Sequence, residues 1–282
     1  MKAIRTIVSV AFAAALGVGC TDRSTPTQEA INASITSPRE PDYKGHPNVG
    51  ALWRDWNGDG LMEPQNLEGD LEGPCSGLLI APKVFLTAGH CLPPDPPGSH
   101  IPVRISFDEH VLPSSGATWI VATGFAVDPN FNPGSLFHDL GVVFLPEGAT
   151  TGLTPVPLPP AGLLDRLNEQ NGLRGQDFLK VGYGVVPTWE GEPTSFSLPG
   201  SRNTASAPFM ALTQGWLFLQ ANYNATGQGG ACYWDSGSPR FLGDVGVATF
   251  SWLDNECRSL NVSWRLDTPE ARDFLGAYVT LP

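Results

Sequence analysis

Charge is scarce in this sequence. Only 16% of the 282 residues are Asp, Glu, Lys or Arg, against about a quarter in an average soluble protein. Lys and Arg number 16 against 28 acidic residues, giving a net charge of −12, and no basic run occurs anywhere. Phosphate backbones are held by clustered Lys and Arg, so nucleic acid is excluded as a natural partner. Methionine occurs three times and cysteine five. After residue 20 no apolar stretch approaches the roughly 20 residues that a membrane helix needs. Little in the sequence signals helix either.

Turn formers and aromatics are abundant: 32 Gly, 27 Pro and eight Trp, within a 41% hydrophobic composition. Gly and Pro at this level would indicate disorder in a polar chain. A chain this apolar can instead offset its ordering entropy by burial, and a loop-rich β protein is expected. Short apolar runs bounded by Gly, Pro, Asn or Asp begin at Val49–Trp53. They continue through Gly77–Ile80, Val84–Thr87, Val103–Phe107, Trp119–Ala126, Leu140–Leu145, Phe178–Gly182, Trp216–Gln220 and Val245–Ser251. Runs of four to eight residues with such boundaries read as antiparallel strands. The Pro/Gly/Thr-rich segment 146–160 divides them into two groups. One helix start is clear: Thr268 as N-cap, Pro269 at the first position and Glu270 in the first turn, with the helix running to about Leu275.

Residues 1–20 read as an export signal, with Lys2 and Arg5 before the apolar run Ile7–Val18. The segment Leu16-Gly17-Val18-Gly19-Cys20 resembles a lipoprotein signal in which Cys20 would carry lipid and anchor the chain to a membrane. Gly17 stands where such signals prefer a bulky aliphatic, and loss of Cys20 with the signal is the alternative. Residues 21–45 read as a polar tether or propeptide. Export permits disulfides. Cys75 and Cys91 would close a 16-residue loop, worth about 3 kcal/mol in the chain-entropy picture, and Cys232 and Cys257 form the natural second pair; four free thiols are the alternative.

Three separated pieces carry chemistry: Leu86-Thr87-Ala88-Gly89-His90-Cys91, His138-Asp139-Leu140-Gly141 and Cys232-Tyr233-Trp234-Asp235-Ser236-Gly237. A serine hydroxyl is a poor nucleophile until a histidine takes its proton, and the histidine needs a carboxylate to fix its tautomer. Each piece alone is more often a turn or a structural residue. Together, in the order His, Asp, Ser at spacings of 49 and 97 residues, they resemble the chymotrypsin/trypsin family of serine proteases over residues 46–282.

That resemblance implies an all-β fold of two antiparallel six-stranded barrels with a C-terminal helix. Barrel one would span about 46–145, a connector 146–170, barrel two 171–266 and the helix 268–276. It implies an endopeptidase using acyl-enzyme chemistry, with His90, Asp139 and Ser236 as catalytic triad and the backbone N–H groups of Trp234 and Ser236 as oxyanion hole. Gly182-Tyr183-Gly184 resembles the turn that opens the second barrel, and Ser251-Trp252 the pair that buttresses the aspartate and binds substrate backbone. Gly230 would floor the primary pocket and Leu253 and Asn261 wall it, favouring small or apolar side chains. Asp235 matches the aspartate that pairs with a new N-terminal ammonium after cleavage; Ile35 or Ile31 would supply it. Polypeptides are the expected partners, no cofactor is required, and the exported protein, secreted or lipid-anchored, is expected to be a monomer. Two departures stand out. The family has Gly where Trp234 stands, and the usual activation motif is missing. Both point to the alternative, a weak or inactive binding protein on the same scaffold.

One motif lies outside this scheme. Asp55-Trp56-Asn57-Gly58-Asp59-Gly60 has the oxygen spacing of a calcium loop, with Leu61 and Glu63 as further ligands, though position twelve is Asn66 rather than Glu. A plain acidic hairpin tip is the competing reading.

Overall fold

The computed structural model describes residues 40–43, 45–55, 58, 73–92, 101–188, 195–197, 199–254 and 256–282. The export signal, Cys20, Ile31, Ile35 and the calcium-motif residues Asn57, Asp59, Leu61 and Glu63 lie outside these.

Two antiparallel sheets contain nearly all the strands. The first joins β2 (Val49–Arg54), β3 (Cys75–Ala81), β4 (Val84–Thr87), β5 (Val103–Ser106), β6 (Ile120–Val121), β7 (Gly124–Val127) and β8 (Gly141–Phe144) in the order 6-5-2-3-4-8-7. The second joins β9 (Asp177–Gly182), β12 (Asn203–Leu212), β13 (Trp216–Gln220), β14 (Pro239–Leu242), β15 (Val245–Leu253) and β16 (Leu260–Arg265). In that sheet β12 pairs with both β13 and β9, and β9 with β14, so it closes into a six-stranded barrel. The first sheet curls without an edge-to-edge ladder between β6 and β7 among the described residues. It is a half-barrel where a closed one was expected. A two-residue strand β1 (Glu40–Pro41) adds to β12, and β10 (Val186–Thr188) pairs with β11 (Ser195–Ser197) in a separate two-stranded sheet.

The alternation of core and boundary residues explains the closure. Leu52, Leu79, Phe85, Ile105 and Val143 fill the half-barrel; Phe178, Ala207, Leu217, Leu219 and Val247 fill the closed one. A third cluster runs along the seam: Val49, Leu78, Leu86 and Val142 from the first sheet meet Val181, Phe241, Val262 and Trp264 from the second. The helix expected at the C-terminus, here α3 (Pro269–Leu275), caps this seam with Ala271, Phe274 and Leu275, and Thr268 Oγ1 accepts from Ala271 N as the N-cap should. Two further helices are short, α1 (Leu163–Glu169) and α2 (Tyr223–Thr226). Both expected disulfides form, Cys75–Cys91 and Cys232–Cys257, as in proteins of oxidising, exported settings. Among the described residues no helix is long and apolar enough to cross a membrane.

Buried charge ties the two halves together. Arg202, 1% exposed, donates from Nε to Asp42 Oδ2 at 2.7 Å. From Nη1 it donates to the carbonyls of Val49 and Phe107 and to Tyr183 Oη. One guanidinium thus links the N-terminal segment, the half-barrel and the closed barrel. Burial would raise the Asp42 pKa, but hydrogen bonds from His46 and Arg202 outweigh it and hold it at about 2, against an ordinary 3.8. Burial pushes the Tyr183 hydroxyl the other way, up to about 12. Because the folded state lowers the Asp42 pKa, its contribution is complete above pH 4 and lost as pH falls towards 2. Its size is about 2 kcal/mol. Denaturant unfolding of wild type and Asp42→Asn at pH 6 and pH 2 should therefore show their stability difference shrinking by about that amount on acidification; a pH-independent difference would contradict the assignment.

Candidate active site

His90 sits in a one-turn 3₁₀ helix, Gly89–Cys91, closed by Cys91 N donating to Ala88 O and Leu92 N to Gly89 O. The Cys75–Cys91 disulfide pins that turn to β3. Asp139 lies at the entry to β8 and is fully buried. The two residues meet directly: His90 Nδ1 is 2.8 Å from Asp139 Oδ2, and His90 N donates to Oδ1 at 2.9 Å. Ser251 Oγ, from β15, donates to the same Oδ2. A carboxylate only accepts, so the Nδ1 contact places a proton there and leaves Nε2 as the basic nitrogen. The approach to Asp139 is strained, since Leu136 and His138 both hold left-handed backbone, φ 57° and 58°.

Ser236 follows a tight loop braced by the second disulfide, with Asp235 N donating to Cys232 O and Ser238 N to Asp235 O. Its carbonyl accepts from Ser76 N at 2.7 Å. The next residue, Gly237, has φ 81°, and a Cβ there would lie 2.2 Å from Thr87 Oγ1, 2.3 Å from Ser76 O and 2.8 Å from Ala88 N. Only glycine fits. That close approach seats the serine loop of the second barrel against the strand end that leads, three residues later, to His90.

Trp234 adopts φ 71°, a left-handed conformation costing about 1–2 kcal/mol for a residue with a Cβ. Its indole lies over Gly73, where a Cβ would come within 1.8 Å of the ring, and it packs on the Val185, Cys232 and Cys257 cluster with Leu253. The Tyr233 carbonyl, in the peptide that carries the Trp234 N–H, accepts from Val185 N at 2.9 Å. A trans peptide sends its C=O and N–H to opposite sides, so the Trp234 N–H faces away from Val185. Neither the Trp234 nor the Ser236 N–H donates to another described residue.

Asp235, fully buried, is the anchor of this loop. It accepts from Cys232 N and Gly184 N, each at 2.9 Å. A Cβ on Gly182 or Gly184 would come within 2.5 or 2.3 Å of its carboxyl group, which explains the Gly-Tyr-Gly sequence. Its carboxylate also meets Lys180 Nζ at 2.9 Å, a partner that the sequence reading missed. The available signal was a lone lysine inside the apolar run ahead of Gly182.

The expected pocket residues fall into two groups. Ser251, Trp252 and Leu253 lie along β15. Gly230 and Asn261 pack together beneath the loop: Asn261, fully buried, accepts from Ala231 N and donates to Ala231 O. A Cβ on Gly230 would come within 2.4 Å of Asn261 Oδ1. Asn261 is therefore a buried clamp on residues 230–231 rather than the wall that was expected. Of the calcium motif, Asp55 is buried and its Oδ2 takes Arg104 Nε and Nη2 at 2.9 and 2.8 Å, so the structure gives this carboxylate a structural ion pair. Among the described residues, the one cluster with metal-ligand spacing is Cys75, His90 and Cys91, two of which are joined in a disulfide.

Comparison with curated protein sequences finds no match. Among solved structures, one described as HL collagenase is similar in fold, with a TM-score of 0.60 at 15% identity, covering 83% of this chain and 95% of its own. The trypsin family profile matches residues 65–265, a span that holds His90, Asp139, Ser236 and both disulfides. By that match the chain belongs to the trypsin family, and its fold and family support serine protease activity.

Proposed function

We propose that the protein is a serine endopeptidase in which His90, Asp139 and Ser236 form the catalytic triad. The observation that carries this reading is the hydrogen-bonded pair His90–Asp139, together with the close approach of Gly237, next to Ser236, to Thr87 and Ala88 just before His90. Asp139, held by Ser251, fixes the imidazole with its proton on Nδ1. Nε2 takes the proton of Ser236 as its oxygen attacks the peptide carbonyl, then returns it to the departing amine, leaving an acyl-enzyme that water resolves by the reverse sequence. The N–H groups of Trp234 and Ser236, neither engaged by another described residue, are read as the donors to the oxyanion; each such donor is worth about 10²–10³ in rate.

Substrate choice follows from the floor. With Gly230 at the floor, pressed on Asn261 and Ala221, the floor position carries no carboxylate for a Lys or Arg side chain, and a buried unpaired ammonium is strongly disfavoured. Cleavage after small or apolar residues is expected. A panel of peptide substrates differing only before the scissile bond tests this. Ala or Val should exceed Lys and Arg by at least about 10-fold in kcat/KM, on the scale of a few kcal/mol for an unpaired polar group; preference for a basic residue would refute it. Export, with the mature protein either secreted or lipid-anchored through Cys20, and a monomeric state complete the reading; the mass of the mature N-terminus and light scattering test them.

A further inference from the structure

The sequence leaves Asp235 waiting for an ammonium released by cleavage at Ile31 or Ile35. The structure gives that carboxylate a cation from within the fold. Lys180, 1% exposed, reaches Asp235 Oδ1 at 2.9 Å and donates to Asn203 Oδ1 at 2.7 Å. It stands on β9, the strand that runs directly into the docking turn of the serine loop. Two residues on is Gly182, against which Asp235 packs with no space for a methyl group. Four residues on, Gly184 N donates to Asp235, and five on, Val185 N holds the Tyr233 carbonyl. The cation and the donors that orient residues 233–236 thus come from one element, set by the barrel ladder Lys180↔Ala205 on one side and Lys180↔Arg240 on the other.

We propose that Lys180 is the built-in counter-ion of Asp235, so that the loop carrying Ser236 and the Trp234 N–H takes its working shape when the chain folds, without an N-terminal ammonium from processing. The proposal rests on the reading of Ser236 as nucleophile. A buried carboxylate must be neutralised to stay buried. Lys180 supplies that neutralising charge from within the fold. The missing activation motif is then a consequence of the architecture. Lys180 acts as a positioning residue: it touches no substrate and works through Asp235.

The test compares the full chain with an uncut N-terminal segment, verified by mass, with the same chain after any processing. Uncut protein should hydrolyse an Ala-containing peptide with kcat/KM within about twofold of processed protein. Lys180→Met should lower kcat by at least about 100-fold, the scale of a lost oxyanion donor, with KM changed less than about threefold, and Lys180→Arg should restore much of kcat. An uncut chain that is inert, and gains activity on release of Ile31 or Ile35, would overturn the proposal while leaving the protease reading intact. So would wild-type kcat in Lys180→Met. Should Lys180→Met fail to fold, the comparison of uncut and processed chains decides by itself. Protein inert in both forms, with Ser236 unlabelled by a fluorophosphonate, would remove both readings together.

Discussion

Ser236→Ala is expected to lower kcat by about 10⁶-fold with little change in KM. The nucleophile and its base act as one unit, so removing either forfeits the covalent route entirely. A 10⁶-fold loss corresponds to about 8 kcal/mol of transition-state stabilisation. What should survive is a residual rate from the oxyanion donors and substrate positioning, about 10³–10⁴ over water. Folding should be unaffected: Ser236 meets the rest of the protein through its carbonyl, which accepts from Ser76 N, and alanine keeps that bond. Kinetics on a peptide substrate, with the thermal midpoint of the same preparations, checks both halves. A variant with unchanged activity would place the chemistry elsewhere, whereas loss of every measurable activity would rule out the binding-protein alternative.

The second large effect is on Asp139. Replacing it with asparagine should cost about 10⁴-fold in kcat, or about 5.5 kcal/mol, although the substitution is nearly isosteric. Both carboxylate oxygens are occupied by donors. Oδ1 receives His90 N; Oδ2 receives His90 Nδ1 and Ser251 Oγ. An asparagine must turn its NH₂ towards one of them. Facing the His90 backbone N–H it would oppose a donor that cannot reverse. Facing Nδ1 and Ser251 it finds a hydroxyl that can rotate to accept. The second orientation wins, and it donates to Nδ1, moving the ring proton to Nε2. The imidazole is then held in the tautomer that cannot take a proton from Ser236. Steady-state kinetics with an NMR reading of the His90 tautomer would test this; an Asp139→Asn variant with near wild-type kcat would remove Asp139 from the mechanism.

Much of this fold could be read from the chain because its signals are local. Val84–Thr87 and Trp216–Gln220 are bounded by turn residues and match the observed strands. The C-terminal helix carries its own N-cap and proline. The failures share a cause: the deciding partner is far away in sequence. The run Trp119–Ala126 is one apolar stretch, yet it splits at residues 122–123, with β6 pairing to β5 and β7 to β8. Helix α1 has Gly162 at its N-cap and no local capping side chain. Its Leu164 N is satisfied by Asp267 Oδ2, from a position 103 residues on, and Arg265 holds the helix through Asp165. Strand β12 contains Pro208 and a register shift near Phe209, which break the alternation a strand would show.

At the candidate site the same division holds. The Cys-flanked histidine, the His-Asp pair and the Asp-Ser-Gly turn are short motifs that can be located by eye. Trp234 read as a threat because a bulky residue in place of glycine can favour a peptide orientation that turns its N–H donor away; the structure gives it left-handed backbone, φ 71°. The structure keeps that conformation by laying the indole on Gly73 and the Cys232–Cys257 cluster, contacts no local pattern reveals. Lys180 was invisible for a different reason. A lone charge in an apolar run has no meaning until the barrel closes and puts Asp235 beside it.

The most direct measurement is reaction of the folded protein with a serine-directed fluorophosphonate, followed by peptide mass mapping. The account predicts one adduct, on Ser236, abolished in Ser236→Ala and strongly slowed in His90→Ala. Folded, disulfide-intact protein that stays unlabelled before and after N-terminal processing, or is labelled at another serine, would contradict it.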